Sequence, residues 1–476
     1  MEARADVVVV GSGAAGSVMA YELARRGADV VVVERGERQD PQTFEHSELE
    51  MIPRTYKHGG LQTTDDHDVV VAQGSGVGGS TLINNAIWLR PDLDRVLSDW
   101  ERAGATIPKG ALVQAYEEIE AALRVSPIPP ALANKGTDYF IRGCQQLGIQ
   151  HRFLDHNRDT CIACGWCNYG CRYNRKTSVL VTYIPWAEDR GALVLDRCRE
   201  VRVNVERGAA IGVSFVRDGE FSTIRADRTV MCAGAIGSSL VLLGSGIDLD
   251  GRVGRGLHAL GGAFVTAETE EELDGFDGIG LTCMAEASEE FVIESYFAPP
   301  VVFSLSLGGW FLSHFRRMQR YRRYADAGVM VGTDPTGVVR LDRKGRARIR
   351  LTFSERDLAR LRRGIRTVAE MYFAAGAIRV LPATFKLVEF SHPLDLNLIG
   401  ERIRRPDDLL LGTAHPQGGN AISEDPKRGV VGNDFQVHGH QNLYVADASV
   451  FPTNIWANCQ ATVMAMAHYA ARFVAA

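Results

Sequence analysis

The chain has 476 residues, of which 45% are hydrophobic and 23% charged, and its formal net charge is −5. The length suggests about three domain-sized units, and the composition excludes a chain that is disordered, coiled-coil or collagen-like throughout. The nearly balanced charge excludes a nucleic-acid-binding protein that relies on bulk positive charge. Glycine is frequent, at 49 residues, which indicates backbone pressed against a large ligand.

The N-terminus carries none of the features of a signal peptide. It runs directly into the valines at 7–10, without a basic region, an apolar core or a small-residue cleavage site. Three charge-free stretches, 69–89, 295–315 and 448–471, are interrupted by glycine, proline, asparagine or histidine, which argues against transmembrane helices. We therefore expect a cytoplasmic location, and the sequence sets no oligomeric state.

Residues 6–34 predict the first unit of a dinucleotide-binding fold: a strand, a glycine-rich turn, a helix and a second strand. In the turn, Gly11 permits the tight bend, Gly13 lets the backbone approach a pyrophosphate, and Gly16 lets helix and strand pack closely. The helix N-terminus offers free N–H groups to phosphates. Glu34 ends the second strand, where a carboxylate can bind both ribose hydroxyls. This unit alone leaves NAD and FAD equally open.

Three further segments carry glycine-rich turns or short apolar strands of the same kind: 73–91, 194–254 and 409–476. The sequence between these segments has a different pattern. It predicts helices first, then alternating strands, and finally one long helix capped by Ser354. The expected elements are helices over 14–26, 110–123, 137–147, 355–375 and 461–476, and strands that include 201–205, 210–216, 229–232, 338–341 and 347–353. Nucleotide-binding pieces separated by insertions predict two interleaved domains.

Four of the nine cysteines are closely spaced. They are Cys161, Cys164, Cys167 and Cys171. Their C-x2-C-x2-C-x3-C spacing matches that of bacterial ferredoxins, in which one loop wraps an iron–sulfur cluster. Arg172 departs from the ferredoxin pattern, which has proline at this point, and the cysteines of a second cluster are missing. The spacing favours an iron–sulfur centre, and it leaves structural zinc and ordinary thiols open.

Several motifs resemble the signatures of the glucose–methanol–choline (GMC) flavoprotein oxidoreductases. They are GSGVGGSTLINNAIWLRP at 74–91, CAGAIGS at 232–238, NLYVADASVFP at 442–452 and NCQAT at 458–462. The cysteine-rich segment, with the YNRKTS run at 173–178 that follows it, is similar to that of bacterial members related to cholesterol oxidase and long-chain alcohol oxidase. The chain thus resembles a bacterial GMC oxidoreductase with a ferredoxin-like, cysteine-rich insertion.

The resemblance implies an α/β fold in which a Rossmann-like FAD-binding domain is interleaved with a substrate-binding α+β domain built on an antiparallel sheet. Residues 96–189 would form a helical, cysteine-rich insertion, and residues 265–404 the substrate-binding domain. The FAD-binding domain would comprise residues 1–40, 68–95, 190–264 and 405–476.

The resemblance also implies which residues hold FAD. The glycines of the first turn would contact the pyrophosphate, Glu34 the adenosine ribose, and Asp447 the region near the ribityl chain. Val201 would bind the adenine edge through its backbone. The full implied set is Gly11, Gly13, Ala14, Ala15, Gly16, Glu34, Arg35, Gly78, Gly79, Ser80, Asn84, Val201, Ala233, Gly234, Asp447 and Ala448.

A catalytic pair follows from the same resemblance. Oxidation of an alcohol by a flavin needs a base for the hydroxyl proton while the hydride leaves for N5, and a neutral histidine suits that role. His415 occupies the position of the family's catalytic histidine, and Asn458 the second catalytic position, which is histidine or asparagine. In isolation, a histidine in a glycine-rich loop is more often a hydrogen-bonding residue. The residues that follow His415, PQGGN, depart from the family pattern.

These features predict FAD-dependent oxidation of a primary or secondary alcohol to a carbonyl, by a dehydrogenase in preference to an oxidase. Electrons would pass through the iron–sulfur cluster, 4Fe–4S in preference to 3Fe–4S, to an external acceptor. The alternatives are an oxidase that makes H2O2 and has structural cysteines, and a non-redox GMC-like lyase. Residues 301–324 are apolar and then arginine-rich, which fits a hydrophobic substrate or a membrane contact. A buried strand and helix with a solvated arginine face is the preferred interpretation.

Overall fold

The computed structural model describes residues 2–475. The α-helices are α1 (Ala14–Ala24), α2 (Glu48–Thr55), α3 (Leu93–Ala103), α4 (Lys109–Leu123), α5 (Lys135–Gln146), α6 (Tyr183–Glu188), α7 (Gly234–Gly244), α8 (Pro300–Ser306), α9 (Phe311–Met318), α10 (Glu355–Ala375), α11 (Ile399–Arg402) and α12 (Gln460–Val474). Within the described residues, none of these helices is both long and apolar enough to cross a membrane.

The strands form three sheets. They are β1 (Glu2–Val10), β2 (Val30–Val33), β3 (Val69–Val71), β4 (Ile87–Trp88), β5 (Val125–Pro127), β6 (His151–Phe153), β7 (Asp155–Asn157), β8 (Leu193–Leu195), β9 (Arg199–Glu206), β10 (Ala209–Arg217), β11 (Glu220–Met231), β12 (Arg255–Glu268), β13 (Cys283–Ala285), β14 (Val292–Tyr296), β15 (Tyr324–Gly332), β16 (Gly337–Leu341), β17 (Ala347–Arg350), β18 (Arg379–Pro382), β19 (Leu411–Gly419) and β20 (Leu443–Val445).

A seven-stranded sheet carries the predicted nucleotide-binding segments. Its order is β8-β2-β1-β11-β10-β9, and β20 pairs with the end of β11. Strand β1 runs parallel to β2 and β11, and β20 runs parallel to β11, whereas β9, β10 and β11 pair as antiparallel neighbours. Because parallel strands bring their carboxyl ends to one edge of a sheet, the turns after β1, β2, β11 and β20 meet there.

A ten-stranded, largely antiparallel sheet forms the second layer. Its order is β17-β16-β12-β15-β14-β13-β6, with β18 and β19 also on β12 and β3 on β19. Strands β3 and β19 lie in segments that the sequence assigns to the FAD-binding part, yet they pair in this sheet. The two sheets are therefore tied by continuous chain and by hydrogen bonding. A small third sheet has the order β4-β7-β5.

Helices α5 and α10 cover one face of the ten-stranded sheet and cross each other closely. The prediction for α10 is confirmed: Ser354 caps its start in a capping box with Asp357, and Gly376, at φ +102°, ends it. The other four predicted helices are confirmed as α1, α4, α5 and α12, with ends that shift by one or two residues. The end of α12 was predicted at Ala476, which lies outside the described residues.

The structure of residues 301–324 differs from the buried strand and helix that the sequence analysis preferred. They form two short helices, α8 and α9, and no strand occurs before β15. Phe303 and Leu307 point inward and are buried, but Leu305 is 71% exposed and Phe311 is 92% exposed. The prediction of a buried strand is wrong, because an uncharged segment can be buried on one side of a short helix and exposed on the other.

The crossing of α5 and α10 gives a first prediction. A Cβ atom added at Gly143 would lie 2.4 Å from the carbonyl oxygen of Met371. Gly143→Ala should therefore lower the free energy of unfolding by about 1–3 kcal/mol, measured by urea denaturation. Gly110→Ala is the matched control, because nothing lies within 4 Å of its Cβ. It should leave stability unchanged or raise it by up to ~1 kcal/mol; equal effects of the two substitutions would contradict the close crossing.

Candidate active site

The first glycine-rich turn packs too closely for side chains. Gly11 has φ +100°, and a Cβ there would lie 2.5 Å from the carbonyl oxygen of Cys232. A Cβ at Gly16 would lie 1.8 Å from the carbonyl oxygen of Gly11. Gly13 precedes α1, so the free N–H groups of the first helical turn face the same region. The predicted strand–turn–helix is confirmed, with its glycines at the points of closest approach.

Glu34 lies beside this turn, at the end of β2. Its carboxylate accepts hydrogen bonds from the backbone N–H of Ser12 (2.9 Å), the Ser12 hydroxyl (2.8 Å) and the backbone N–H of Gly36 (2.7 Å). Burial raises the pKa of Glu34, and these donors oppose the rise. The structure thus brings Glu34 to the glycine turn, in a position to fix both the turn and a ligand bound there.

The second glycine-rich segment meets the first. The Ser12 hydroxyl accepts a hydrogen bond from the backbone N–H of Gly78 (3.1 Å). A Cβ at Gly79 would lie 3.0 Å from the Cα atom of Gly13. The Ser80 hydroxyl accepts from the backbone N–H of Gly74 (3.0 Å) and closes the loop on itself. Two loops that are far apart in sequence therefore form one surface of backbone.

Asp447 joins the third and fourth segments. This buried carboxylate follows β20 and accepts hydrogen bonds from the backbone N–H of Gly234 (2.8 Å), the Ser238 hydroxyl (2.5 Å) and the backbone N–H of Ser449 (2.8 Å). Burial raises its pKa, and these hydrogen bonds lower it again. Because Cys232 contacts Gly11, all four predicted segments converge at one edge of the seven-stranded sheet.

The remaining predicted cofactor residues lie in different places. Ala233 is the N-cap of α7, Ala448 begins a short 3-10 turn after Asp447, and the Asn84 side chain contacts Gln460 at the start of α12. Arg35 is exposed beside the first turn. Val201 lies on β9, the edge strand, separated from β1 by β10 and β11. The first four lie at the edge where the four segments converge. Val201 follows Cys198 by three residues, and the backbone N–H of Cys198 donates to the carbonyl oxygen of Glu34 (2.8 Å).

His415 lies on β19, opposite Leu260 of β12. Its Nδ1 atom is buried and has no hydrogen-bond partner among the described residues. Burial lowers the pKa of the imidazole to about 4, although a contact with the Leu260 backbone raises it slightly. At neutral pH the ring is therefore uncharged and able to accept a proton.

Asn458 precedes α12 in a segment that packs against β19, since Gln417 accepts a hydrogen bond from the backbone N–H of Ile455 (3.3 Å). The buried Asn458 side chain lies beside the carboxyl group of Glu294 and lowers the pKa of that group. Its Oδ1 atom has no hydrogen-bond partner among residues 2–475, and its amide nitrogen is the atom that can donate to a carboxyl group. Burial raises the pKa of Glu294 to about 7 against the effect of Asn458.

Glu294 is the functional candidate that sequence reasoning missed. It lies in the middle of β14, paired with Gly328 of β15, and its Oε1 atom is buried without a partner. The sequence signal is a lone acidic residue inside the apolar run at 291–296. Burying a charge there costs free energy, so such a residue is a functional candidate. Sequence alone does not show that this strand reaches Asn458.

Within the described residues, several buried polar atoms without hydrogen-bond partners lie along β19 and along the segment before α12. They include His415 Nδ1, Gln417 Nε2, both amide atoms of Asn420, Ser449 Oγ, Thr453 Oγ1, Asn454 Nδ2 and Asn458 Oδ1. Buried polar groups normally have partners, so such a row indicates a polar ligand. The row continues from the edge where the four glycine-rich segments meet, which fits an elongated cofactor such as FAD and a substrate beyond it.

The four closely spaced cysteines line one small pocket. Backbone N–H groups of Ala163 and Arg175 donate to the sulfur atoms of Cys161 (3.4 Å) and Cys171 (3.2 Å). The Arg158 guanidinium donates to Cys167 Sγ (3.0 Å). The sulfur atoms thus lie among hydrogen-bond donors, as thiolates would require.

This cysteine loop is bound to the backbone at 82–85, part of the second glycine-rich segment. Asn168 donates to the carbonyl oxygen of Ile83 (2.9 Å), Lys176 donates to those of Leu82 (2.7 Å) and Asn84 (2.9 Å), and Arg158 donates to that of Asn85. Arg158 and Lys176 are both buried, and neither forms an ion pair with a carboxylate in residues 2–475. The loop therefore positions a segment that includes Asn84, one of the residues expected to hold FAD.

The expected iron–sulfur site is not supported by the arrangement of these thiols. Over residues 2–475, no three or more histidine, cysteine, aspartate or glutamate side chains are grouped so that they could hold a metal ion. The cavity between the thiols measures about 10 Å³, which is about the space of one water molecule. The spacing of Cys161, Cys164, Cys167 and Cys171 brings them to one pocket, but their sulfur atoms do not enclose a cluster.

Comparison with known proteins identifies relatives of this arrangement. Residues 5–260 and 333–467 match the models of the N-terminal and C-terminal parts of GMC oxidoreductases. An uncharacterised GMC-type oxidoreductase of Mycobacterium tuberculosis is 30% identical over 475 residues, which cover 98% of this chain and 75% of that protein. A long-chain-alcohol oxidase of Arabidopsis thaliana is 25% identical over 98% of this chain and 68% of its own length.

The fold is also that of solved structures. A formate oxidase from Aspergillus oryzae, studied for the modification of its FAD, superposes with a TM-score of 0.74 over 99% of this chain and 98% of its own, at 17% identity. This likeness confirms the α/β fold predicted for the chain.

The buried Glu294 gives a prediction of pH dependence. Its pKa rises from an ordinary value of 4.5 to about 7, so between these values the unfolded chain releases a proton that the folded protein keeps. Stability therefore falls as pH rises through this window and levels off above about 7. Glu294→Gln should remove this dependence, so from pH 5 to pH 8 its unfolding free energy should gain about 2–3 kcal/mol relative to the wild type. The exposed Glu289→Gln is the control, and parallel pH profiles for Glu294→Gln and the wild type would contradict the assignment.

Proposed function

The chain belongs to the GMC oxidoreductase family, and we propose that it uses FAD to oxidise an alcohol to a carbonyl compound. The observation that carries the proposal is that His415, Asn458 and Glu294 each have a buried polar atom with no hydrogen-bond partner among residues 2–475. A substrate hydroxyl group beside these atoms would satisfy them.

His415 is the proposed general base. Burial keeps its imidazole neutral, so it can take the hydroxyl proton without first losing one. FAD, when bound, supplies the acceptor for the hydride. The four glycine-rich segments and Asp447 would hold the cofactor, and His415 on β19 would lie beyond it.

Asn458 and Glu294 are the proposed orienting groups. The Asn458 amide would donate to the adjacent Glu294 carboxyl group, which would leave its Oδ1 atom to accept a hydrogen bond from the substrate hydroxyl. Glu294 fixes the amide in that orientation. With a pKa of about 7, Glu294 can also exchange a proton near neutral pH.

We propose molecular oxygen as the electron acceptor in place of the iron–sulfur relay that the sequence favours. The long-chain-alcohol and formate relatives are named as oxidases, and the four thiols are not grouped so that they could hold a metal ion. In this proposal the cysteine loop is structural, and its buried cations bind the carbonyl groups at 82–85. The relay is the second candidate, because Arg158 and Lys176 are buried beside the cysteines without a carboxylate partner, and an anionic cluster would balance their charge.

Replacement of the base tests the proposed reaction. His415→Ala should slow anaerobic reduction of the bound flavin by an alcohol about 10²–10⁴-fold in stopped-flow absorbance, while FAD stays bound. Asn458→Ala should slow it less, because an orienting hydrogen bond is lost and the base remains. His440→Ala is the control, since His440 lies before β20, at the end of that strand opposite Asp447. Reduction of His415→Ala at the wild-type rate would remove His415 from the mechanism, and a wild-type flavin that no alcohol reduces would favour a non-redox lyase.

The acceptor is tested by metal analysis and product analysis together. Protein purified without oxygen should contain no iron or acid-labile sulfide, and aerobic turnover should release about one H2O2 per alcohol oxidised. Cys164→Ser should leave that stoichiometry unchanged. Iron and sulfide present together, lost in Cys164→Ser along with reduction of an artificial acceptor, would establish the relay and displace oxygen as the acceptor.

A further inference from the structure

The hairpin of α8 and α9 exposes large apolar side chains on its outer side. We call them the outer patch: Leu305, Trp310, Phe311, Leu312 and Phe315. Their exposed fractions are 71%, 69%, 92%, 58% and 59%. A contiguous group of this kind on a protein surface marks an interaction site, because water does not favour it.

The hairpin is firmly attached to the protein through its inner side. Phe303 is fully buried and stacks on Phe297, with ring centroids 5.2 Å apart. The buried Glu48 carboxylate accepts hydrogen bonds from the backbone N–H groups of Val301 (2.6 Å) and Val302 (2.8 Å) at the start of α8. The outer patch is therefore exposed on an element whose other side is packed.

Cations border the outer patch. The stretch 295–325 contains five arginines and no acidic residue. Four of these arginines form ion pairs with acidic residues of neighbouring elements. Arg316, next to Phe315, is exposed and forms no ion pair within residues 2–475, and the same holds for Lys386, next to the exposed Phe385. Lys386 lies close to the hairpin, because a Cβ at Gly308 would lie 3.1 Å from the carbonyl oxygen of Thr384.

A cavity of about 270 Å³ opens at the base of the hairpin. Pro300 at the start of α8 and Tyr321 after α9 line it, together with the aromatic side chains of Trp166, Phe276 and Phe297. Phe297 directly follows β14, the strand that carries Glu294. The hairpin thus borders both the surface and an apolar chamber at the end of an active-site strand.

We propose that the outer patch docks the protein on the surface of a phospholipid membrane that carries anionic lipids. Helix α9 has eight residues and is ~12 Å long, so it lies in the interface, with Trp310, Phe311 and Phe315 among the upper acyl chains. Arg316 and Lys386 would face lipid phosphates. A second copy of the chain fits less well, because a symmetric interface would place these unpaired cations close to their own copies. The docking does not depend on the proposed alcohol oxidation.

The test is vesicle flotation of the purified holoprotein. Wild-type protein should float with vesicles of 70% phosphatidylcholine and 30% phosphatidylglycerol, and less with phosphatidylcholine alone. The variant Phe311→Ser/Phe315→Ser should reduce the partition coefficient at least ~100-fold, since each lost aromatic contact is worth about tenfold or more. Phe221→Ser, which removes an equally exposed aromatic residue from β11, should float like the wild type.

A charge variant and an oligomer measurement complete the test. Arg316→Glu should weaken flotation with the anionic vesicles and leave that with phosphatidylcholine unchanged. Each variant should retain its bound flavin and its unfolding temperature, which shows that the fold is intact. The proposal is overturned if the wild type does not float, or if the double variant floats as well as Phe221→Ser. It is also overturned if sedimentation shows that the double substitution converts a dimer to a monomer without changing flotation.

Discussion

The close approach of backbone at the carboxyl edge of the seven-stranded sheet is the constraint on which the rest of the structure depends. A Cβ atom at Gly11 would lie 2.5 Å from the carbonyl oxygen of Cys232, and one at Gly79 would lie 3.0 Å from Gly13 Cα. These contacts exist only because no side chain intervenes. They bring loops from four separate parts of the chain to one place, and the hydrogen bonds of Asp447 hold two of them together.

The position of the ten-stranded sheet depends on this edge of the seven-stranded sheet. Strand β19 belongs to the same chain segment as β20 but pairs with β12, so His415 lies where the two sheets meet. Burial then sets the chemistry of the site: it keeps His415 neutral, and it raises the pKa of Glu294 into the neutral range. Both effects follow from the same loss of water around ionisable groups, and they leave a neutral imidazole on β19 and a carboxyl group beside Asn458.

The sequence predicts those parts of the molecule that local interactions decide. Helix α10 begins and ends as expected, because Ser354 and the apolar periodicity act within a few turns. The glycines of the first turn are predicted because their spacing has one physical use. Glu294 is not predicted, because its carboxyl group comes near Asn458 only through the folding of the sheet in which β14 pairs with β15. The outer patch is not predicted either, because an apolar sequence does not show which side of a helix packs against the protein and which side faces solvent. The cysteine spacing correctly predicts that the four thiols lie close together. It does not predict whether their sulfur atoms leave room for a cluster.

The central claim is that the four converging segments hold a flavin whose reacting end faces His415. The most direct measurement is the absorption spectrum of the purified protein, recorded without oxygen before and after addition of an alcohol, with identification of the released cofactor. The account predicts one FAD per chain and loss of the visible absorption of its oxidised flavin on addition of a suitable primary or secondary alcohol. A protein that releases NAD, or no nucleotide at all, would contradict it.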